Sequence, residues 1–127
     1  MVPSELMLDF LKQQGFCPEV EEYGIAFKYQ MKNFIFWKND DDSGFFQLIM
    51  PGIFDVNEEN INTVLRATNK VNCDLKVAKA NVMNGESVWL FFEILIDGTP
   101  VFEDLVPRAL DILLGAQAAF YKSLQEV

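Results

Sequence analysis

One polar segment of the chain has residue types that suggest metal chemistry. From Asn39 to Ser43 every side chain carries an oxygen atom, and Gly44 follows, as in the opening half of an EF-hand calcium loop. Such a loop needs a bidentate glutamate at its twelfth position, which, counted from Asn39, is Met50. The flanking residues also resemble strands rather than helices. We therefore predict a solvated turn between two strands and no metal site.

The sequence lacks the residues that usually support nucleophilic or general acid–base catalysis. The chain contains no histidine, which excludes serine–histidine and cysteine–histidine arrangements, although lysine or carboxylate bases remain possible. The paired carboxylates at residues 21–22, 58–59 and 103–104 are expected at strand ends and helix starts. Glycine-rich phosphate loops are absent. These features predict a protein that is not an enzyme and has no cofactor.

The two cysteines, Cys17 and Cys73, lie far apart in the sequence. Without a histidine they cannot form a zinc site. In a reducing compartment they are expected to be small buried hydrophobic residues rather than a disulfide, although a bridge is possible. The first five residues contain no basic region followed by an apolar stretch, so no export signal is expected. We therefore predict a cytoplasmic protein.

Charge and composition narrow the class of partner. Ten basic and nineteen acidic side chains give a net charge of −9, which disfavours nucleic acid and anionic membrane surfaces. Apolar runs such as residues 88–92 are too short to span a bilayer. The 127 residues fit one domain with one core. Twelve phenylalanines and two tryptophans supply more bulky apolar surface than such a core is expected to hide.

Periodicity and turn signals predict helices and strands along the whole chain. The order α-β-β-β-α-β-β-α predicts one α+β domain, residues 1–127, with an antiparallel sheet packed with helices. Pro51 and Gly52 are expected to end the third strand. Pro107 leaves the start of the last helix between residues 99 and 104. The predicted elements are helix 4–14 ended by Gly15, strands 21–29, 34–38 and 45–50, a helix from Asn57 with an apolar stripe at Ile61, Val64, Leu65, Thr68 and Val71, a hairpin, and a last helix to the end of the chain.

The hairpin is predicted from the dipeptide Asn84-Gly85, which suits the positive φ angles of a two-residue type I′ turn. This turn pairs Ala78 with Phe91 and Ala80 with Trp89. One face of the hairpin is then expected to meet the helices through Val88, Leu90, Phe92, Ile94 and Ile96. The other face is predicted to be a partner or dimer interface, in which a two-fold axis buries its apolar side chains, unless a helix of the same chain covers it. The predicted interface residues are Ala78, Ala80, Val82, Trp89, Phe91 and Leu95.

Three segments and the order of the elements carry a resemblance to a known fold. They are the helix start Asn57-Glu58-Glu59-Asn60, the strand through residues 88–92, and the amphipathic helix that ends at residues 120–121. Together they resemble the type III secretion chaperones and the YbjN-like family of proposed sensory-transduction regulators, over nearly the whole chain. The resemblance implies a homodimer without enzymatic activity, and the secretion chaperones bind an extended effector segment.

Two hypotheses follow for the function. The first is a dimeric, non-enzymatic interaction module, chaperone-like or regulatory, that binds an extended polypeptide at a sheet edge or across its surface. Acidic side chains around that site would favour a basic segment. The alternative is a small-ligand sensor with an aromatic pocket between helix and sheet, near Trp37, Trp89 and the tyrosines.

Overall fold

The computed structural model describes residues 4–39 and 44–126 of the chain. In these ranges it contains three helices and one antiparallel sheet, which confirms the α+β class. The helices are α1 (Ser4–Gln13), α2 (Ile61–Asp74) and α3 (Phe102–Glu126). The strands are β1 (Glu19–Glu21), β2 (Gly24–Tyr29), β3 (Lys32–Trp37), β4 (Phe45–Asp55), β5 (Ala78–Met83) and β6 (Ser87–Leu95).

The sheet has six strands in the order β1-β2-β3-β4-β6-β5. It contains one strand more than the sequence predicts, because a turn at Glu22 and Tyr23 divides the expected strand 21–29 into β1 and β2. The two halves fold back on each other, with Glu21 opposite Gly24. The meander is otherwise as predicted, since β2, β3 and β4 pair in chain order.

The ends of the first two helices follow local signals. Gly15 has φ +82°, and the Phe16 N–H donates to the Leu11 carbonyl at 3.0 Å, which is the Schellman pattern of a glycine-terminated helix. The Asn57 side chain accepts hydrogen bonds from the N–H groups of Glu59 and Asn60 at 2.9 Å each. The predicted cap is therefore present, although the regular α-helix begins at Ile61.

The buried stripe of α2 differs from the predicted one. The residues that pack into the core are Val64, Ala67, Thr68 and Val71, whereas Leu65 is 48% exposed. The stripe is centred on Ala67. A small side chain at the centre of the buried face lets the helix pack close to the sheet. The start of α3 at Phe102 lies between the two predicted limits, and Pro107 lies inside this helix.

Strand β4 continues through the residues that were expected to end it. Its pairing with β6 shifts register between Met50 and Phe54, and Gly52 adopts φ +55°. This irregularity is a bulge-like feature, and bulges are positions in a sheet that tolerate proline, which has no N–H to donate. The Tyr121 hydroxyl of α3 donates to the Ile53 carbonyl at 2.8 Å within the same segment. The prediction that β4 ends at Pro51 is therefore wrong.

The register of the last hairpin is also different from the prediction. Met83 is opposite Ser87, so the loop has three residues, and Ala78 is opposite Phe92 rather than Phe91. A shift of one residue moves every side chain of β5 to the other face of the sheet. Ala78 and Ala80 are 6% and 1% exposed in the helix-covered core. This register is favoured because it buries the small apolar side chains of β5 and leaves Lys79 in water.

All three helices pack on the same face of the sheet. Their buried side chains share one cluster with alternate residues of the strands. The largest fully buried side chains of this core include Phe34, Phe36, Phe46 and Phe120, joined by Met7, Leu11, Leu48 and Leu90. The molecule is thus a two-layer sandwich, with helices on one side of the sheet only.

Candidate protein-interaction site

The face of the sheet that turns away from the helices carries a second apolar cluster. Ile35, Ile49 and Phe91 form its centre, and Trp37, Met83 and Trp89 pack around them. Every member lies on a strand, so within the described residues no helix covers this cluster. We call this side of the sheet the open face. The alternative that a helix of the same chain covers it is therefore wrong.

The six predicted interface residues divide between the two faces. Trp89, Phe91 and Leu95 lie on the open face, where the rings of Trp89 and Phe91 are 6.4 Å apart and Leu95 is 80% exposed. Ala78, Ala80 and Val82 lie on the helix-covered face, because of the register described above. The prediction that these three residues share a surface with Trp89 is wrong.

A polar group beside the cluster was not identified from the sequence. Gln47 donates through Nε2 to Glu93 Oε2 at 2.6 Å, and Lys79 Nζ lies 2.6 Å from Glu93 Oε1. Lys79 also lies 5.3 Å from the centre of the Phe91 ring, within the range of a cation–π contact. The correct hairpin register would have revealed this group, because only that register places Lys79 opposite Phe91.

A groove of about 480 Å³ lies at the β1 end of the open face. Ala26 and Asn33 are short side chains there, and Tyr23, which stacks on Trp37 at 5.6 Å, forms one wall. The predicted sensor pocket between helix and sheet is misplaced, because Trp37 and Trp89 lie on the open face and neither lines this groove. The lining residues are Phe16, Cys17, Glu19, Tyr23, Ala26, Phe27, Lys28, Asn33, Phe34, Ile35 and Pro51.

The sheet has two edge strands, and β5 is the protected one. Asn72 of α2 accepts from the Ala80 N–H at 2.7 Å and donates to the Ala80 carbonyl at 3.0 Å. The Ala78 N–H donates to the Lys76 carbonyl at 2.8 Å, across Val77 with φ +71°. Side chain and turn therefore occupy the backbone groups that a further strand would need.

The edge at β1 has the opposite character. All three of its residues are exposed, and Val20 is 67% exposed. Glu21 and Gly24 flank a two-residue turn, and the residues that flank such a turn form a hydrogen-bonded pair. Hydrogen-bonded and non-hydrogen-bonded pairs alternate along an antiparallel ladder, so the next pair, Val20 and Ile25, is not hydrogen-bonded. The N–H and carbonyl of Val20 therefore point outwards from the sheet.

A smaller groove runs beside β1 on the helix side. Its volume is about 150 Å³. Leu8 of α1 and the side chains of Val20 and Ile25 give it an apolar floor, and its charged lining residues are the acidic Glu5 and Glu21 and the basic Lys38. The β1 edge thus lies between this groove and the groove on the open face.

The two cysteines and the acidic run are the remaining candidates for chemistry from the sequence. Cys17 and Cys73 are exposed free thiols, so the expectation that they are buried is wrong. Residues 40–43 of the acidic run lie outside the described residues. In the part of the chain that is described, no group of three or more Cys, Asp or Glu side chains is placed to hold a metal ion. Nor does any helix there have the length and apolarity to cross a membrane.

Comparisons with known proteins identify the fold. No protein-family model and no curated protein matches the chain. Among solved structures, YbjN from E. coli, described as a proposed transcription regulator, has a TM-score of 0.69 at 7% identity and covers 99% of this chain and 96% of its own. An uncharacterized protein from Methanothermobacter thermautotrophicus has a TM-score of 0.66 at 14% identity, over 97% of this chain and 96% of its own. The predicted resemblance to the YbjN-like family is therefore confirmed at the level of architecture, and the chain has a YbjN-like fold.

Proposed function

We propose that this chain is a non-enzymatic protein-interaction module that binds an extended polypeptide along the outer edge of β1. The observation that carries the proposal is the difference between the two edges of the sheet. Asn72 occupies the backbone of β5, whereas β1 exposes all its residues and directs the Val20 N–H and carbonyl outwards. An added strand needs such a donor and acceptor.

The grooves beside β1 support a preference for alternating side chains. In an added strand, successive side chains point to opposite faces of the sheet. Those on the helix side would enter the apolar groove formed by Leu8, Val20 and Ile25. Those on the other side would lie near Glu19 and Glu21, which alternate with Val20 along β1.

Charge favours a basic partner. Glu19, Glu21 and Glu22 are consecutive or nearly so, all are exposed, and Glu5 lies at the rim of the adjacent groove. The whole chain has a net charge of −9. Complementary charge raises the rate of encounter and disfavours acidic competitors. The expected ligand is therefore an extended segment in which apolar and basic residues alternate.

The test uses a fluorescein-labelled peptide of about nine alternating lysine and leucine residues, long enough to pair as a strand. Fluorescence anisotropy is expected to show saturable binding to the native chain. The variant Val20→Pro removes the outward N–H without removing a ladder bond, and is expected to weaken binding about tenfold. Val20→Thr keeps the N–H and is the matched control.

Two binding results would contradict the proposed site. If Val20→Pro and Val20→Thr bind the peptide equally well, or if the native chain does not bind it, the β1 edge is not the site. A peptide in which glutamate replaces lysine checks the charge preference, and it should bind more weakly than the lysine peptide. Thermal unfolding of both variants verifies that Val20→Pro retains the fold.

A small-ligand sensor is the second candidate. The groove on the open face has a volume of about 480 Å³ and aromatic walls at Phe16 and Tyr23, with Lys28 and Asn33 as polar groups, which is the composition of many ligand pockets. Because Tyr23 stacks on Trp37, a ligand there should alter the emission of Trp37. A Trp89→Phe variant screened with small metabolites measures this directly, and a panel without any saturable response would remove the support for a sensor.

We also propose that the chain works in the cytoplasm. Cys17 and Cys73 are exposed and unpaired. Exposed thiols persist in reducing compartments and become oxidised in oxidising ones. Fractionation of cells that produce the chain with a fluorescent tag tests this, and recovery from an exported fraction would contradict it.

A further inference from the structure

We propose that the open face binds the open face of a second copy of this chain, with a two-fold axis that runs parallel to the strands between β3 and β4. The dimer leaves free the Val20 N–H and carbonyl, which lie in the plane of the sheet, but it shares Glu19 with the edge-binding function proposed above. Two neighbouring rows of side chains across the open face are complementary to themselves in charge and in size.

The strand register places six residues in one row across the sheet. Each residue of the row is the direct partner of the next on the neighbouring strand. Since side chains of one row point to the same face, all six belong to the open face. In strand order from β1 to β5, the row reads Glu19, Ala26, Ile35, Ile49, Phe91 and Lys79.

A two-fold rotation about an axis parallel to the strands places the strands of the second copy over those of the first in reverse order. Positions along the strands do not change, so each row lies over the same row of the partner. Glu19 then faces the partner's Lys79, which pairs an acid with a base. Ala26 faces the partner's Phe91, so the largest side chain of the row lies over the smallest. Ile35 faces the partner's Ile49, which forms an apolar centre on the axis.

The adjacent row has the same property. Lys28 pairs with Asn33 in register, and Trp89 pairs with Asn81. The same rotation brings Lys28 over the partner's Trp89, an arrangement that suits a cation–π contact. Ala26, Lys28 and Asn33 line the groove of about 480 Å³, so Phe91 and Trp89 of one copy would fill the groove of the other.

The other possible two-fold axis across this face is unfavourable. An axis perpendicular to the strands would place β1 over the partner's β1, with Glu19 and Glu21 against the same acidic residues. It would also place β6 over the partner's β6, so that the Trp89 and Phe91 side chains of the two copies would meet each other and both grooves would remain empty. Like charges in an interface are destabilising. Charge and size therefore select the axis that is parallel to the strands.

The first measurement is the solution mass by light scattering over a range of concentrations. One chain has a mass of 14.5 kDa and a dimer has about 29 kDa, twice that value.

The charge pair is tested with Glu19→Lys, Lys79→Glu and the double variant. Each single variant should raise the dimer dissociation constant about tenfold or more. Because Lys79→Glu also removes the contact of Lys79 with Glu93, the double variant is compared with Lys79→Glu alone and should dimerise more tightly than that single variant.

A size variant and a control complete the design. Ala26→Trp fills the groove on the open face, so it should also raise the dissociation constant about tenfold without disturbing the helix-covered core. Lys122→Glu changes a charge on α3 that is 77% exposed and distant from the open face, and it should have no effect. Thermal unfolding of each variant verifies its fold.

Three results would overturn the proposal. The first is a native chain that remains monomeric at every concentration, whose open face would then be left to a ligand or another protein. The second is a dimer that Ala26→Trp and the charge reversals do not weaken, because its interface would lie elsewhere. The third is a double charge variant that remains as weak as the single ones, since Glu19 and Lys79 would then not face each other.

Discussion

At the scale of single residues, Gly24 is the position where the fold depends most directly on one residue type. It has φ +152° at the start of β2, and a Cβ built there would overlap the carbonyl oxygen of Phe36 on β3. The neighbouring backbone is fixed by the Lys38 N–H, which donates to the Tyr23 carbonyl at 2.8 Å. The obstacle is backbone rather than a flexible side chain, so it cannot move aside easily.

We expect Gly24→Ala to lower the free energy of unfolding by about 3 kcal/mol or more, because it adds backbone strain to a steric overlap. Chemical denaturation measures this. Gly115→Ala is the matched control, since Gly115 is helical and its added Cβ would meet open space. That variant should gain up to about 1 kcal/mol from helix propensity. Equal effects of the two variants would contradict the role assigned to Gly24.

Residue patterns also explain why the candidate site was predicted only in part. The prediction took the hairpin register from Asn84-Gly85, and both residues do have positive φ, 55° and 69°. The loop nevertheless includes Glu86, whose N–H donates to the Met83 carbonyl at 3.0 Å. The alternation of small apolar and polar residues in β5 indicates the register more reliably than the turn, because burial of that face contributes more free energy than the turn type.

At the scale of elements, the β5 edge shows how a helix closes a sheet. The side-chain amide of Asn72 makes the pair of hydrogen bonds that a neighbouring strand would make with Ala80. Proteins that leave a long strand edge unpaired risk association through it. Helix α2 thus has two roles, since it covers the core with Val64 and Val71 and closes the edge with its polar side.

We expect Asn72→Ala to lower the free energy of unfolding by about 1–2 kcal/mol relative to Asn69→Ala, because two hydrogen bonds to the sheet are lost. Asn69 is an exposed residue of the same helix, so its substitution accounts for the change in helix propensity. Urea unfolding measures the difference. The variant should also aggregate faster at high concentration through the opened edge. Identical unfolding curves for the two variants would show that Asn72 does not stabilise the sheet.

Elements differ in how far the sequence determines them. The end of α1 at Gly15 and the cap at Asn57 were predictable, because each depends on residues within one turn of the chain. The continuation of β4 past Pro51 was not. It depends on pairing with β6 and on the hydrogen bond between Tyr121 and Ile53, groups 68 residues apart in the sequence. Local signals do not contain such long-range contacts.

At the scale of the whole molecule, the two layers explain why so many bulky side chains are present. The helix-covered core contains phenylalanines from both layers, whereas both tryptophans belong to the open face. The order of the elements was enough to predict the sandwich, since each helix has an apolar stripe that needs a sheet to cover it. Which side chains form the open face depended on a register that the turn signal did not provide.

The placement of both tryptophans makes their fluorescence a measure of the proposed dimer. Dilution below the dimer dissociation constant should shift the emission to longer wavelengths, because Trp37 and Trp89 would pass from a dry interface into water. The midpoint should coincide with the fall in mass measured by light scattering. Trp37→Phe and Trp89→Phe each leave one reporter, and both should show the same midpoint. If the mass falls while neither reporter responds, the copies associate through a surface other than the open face.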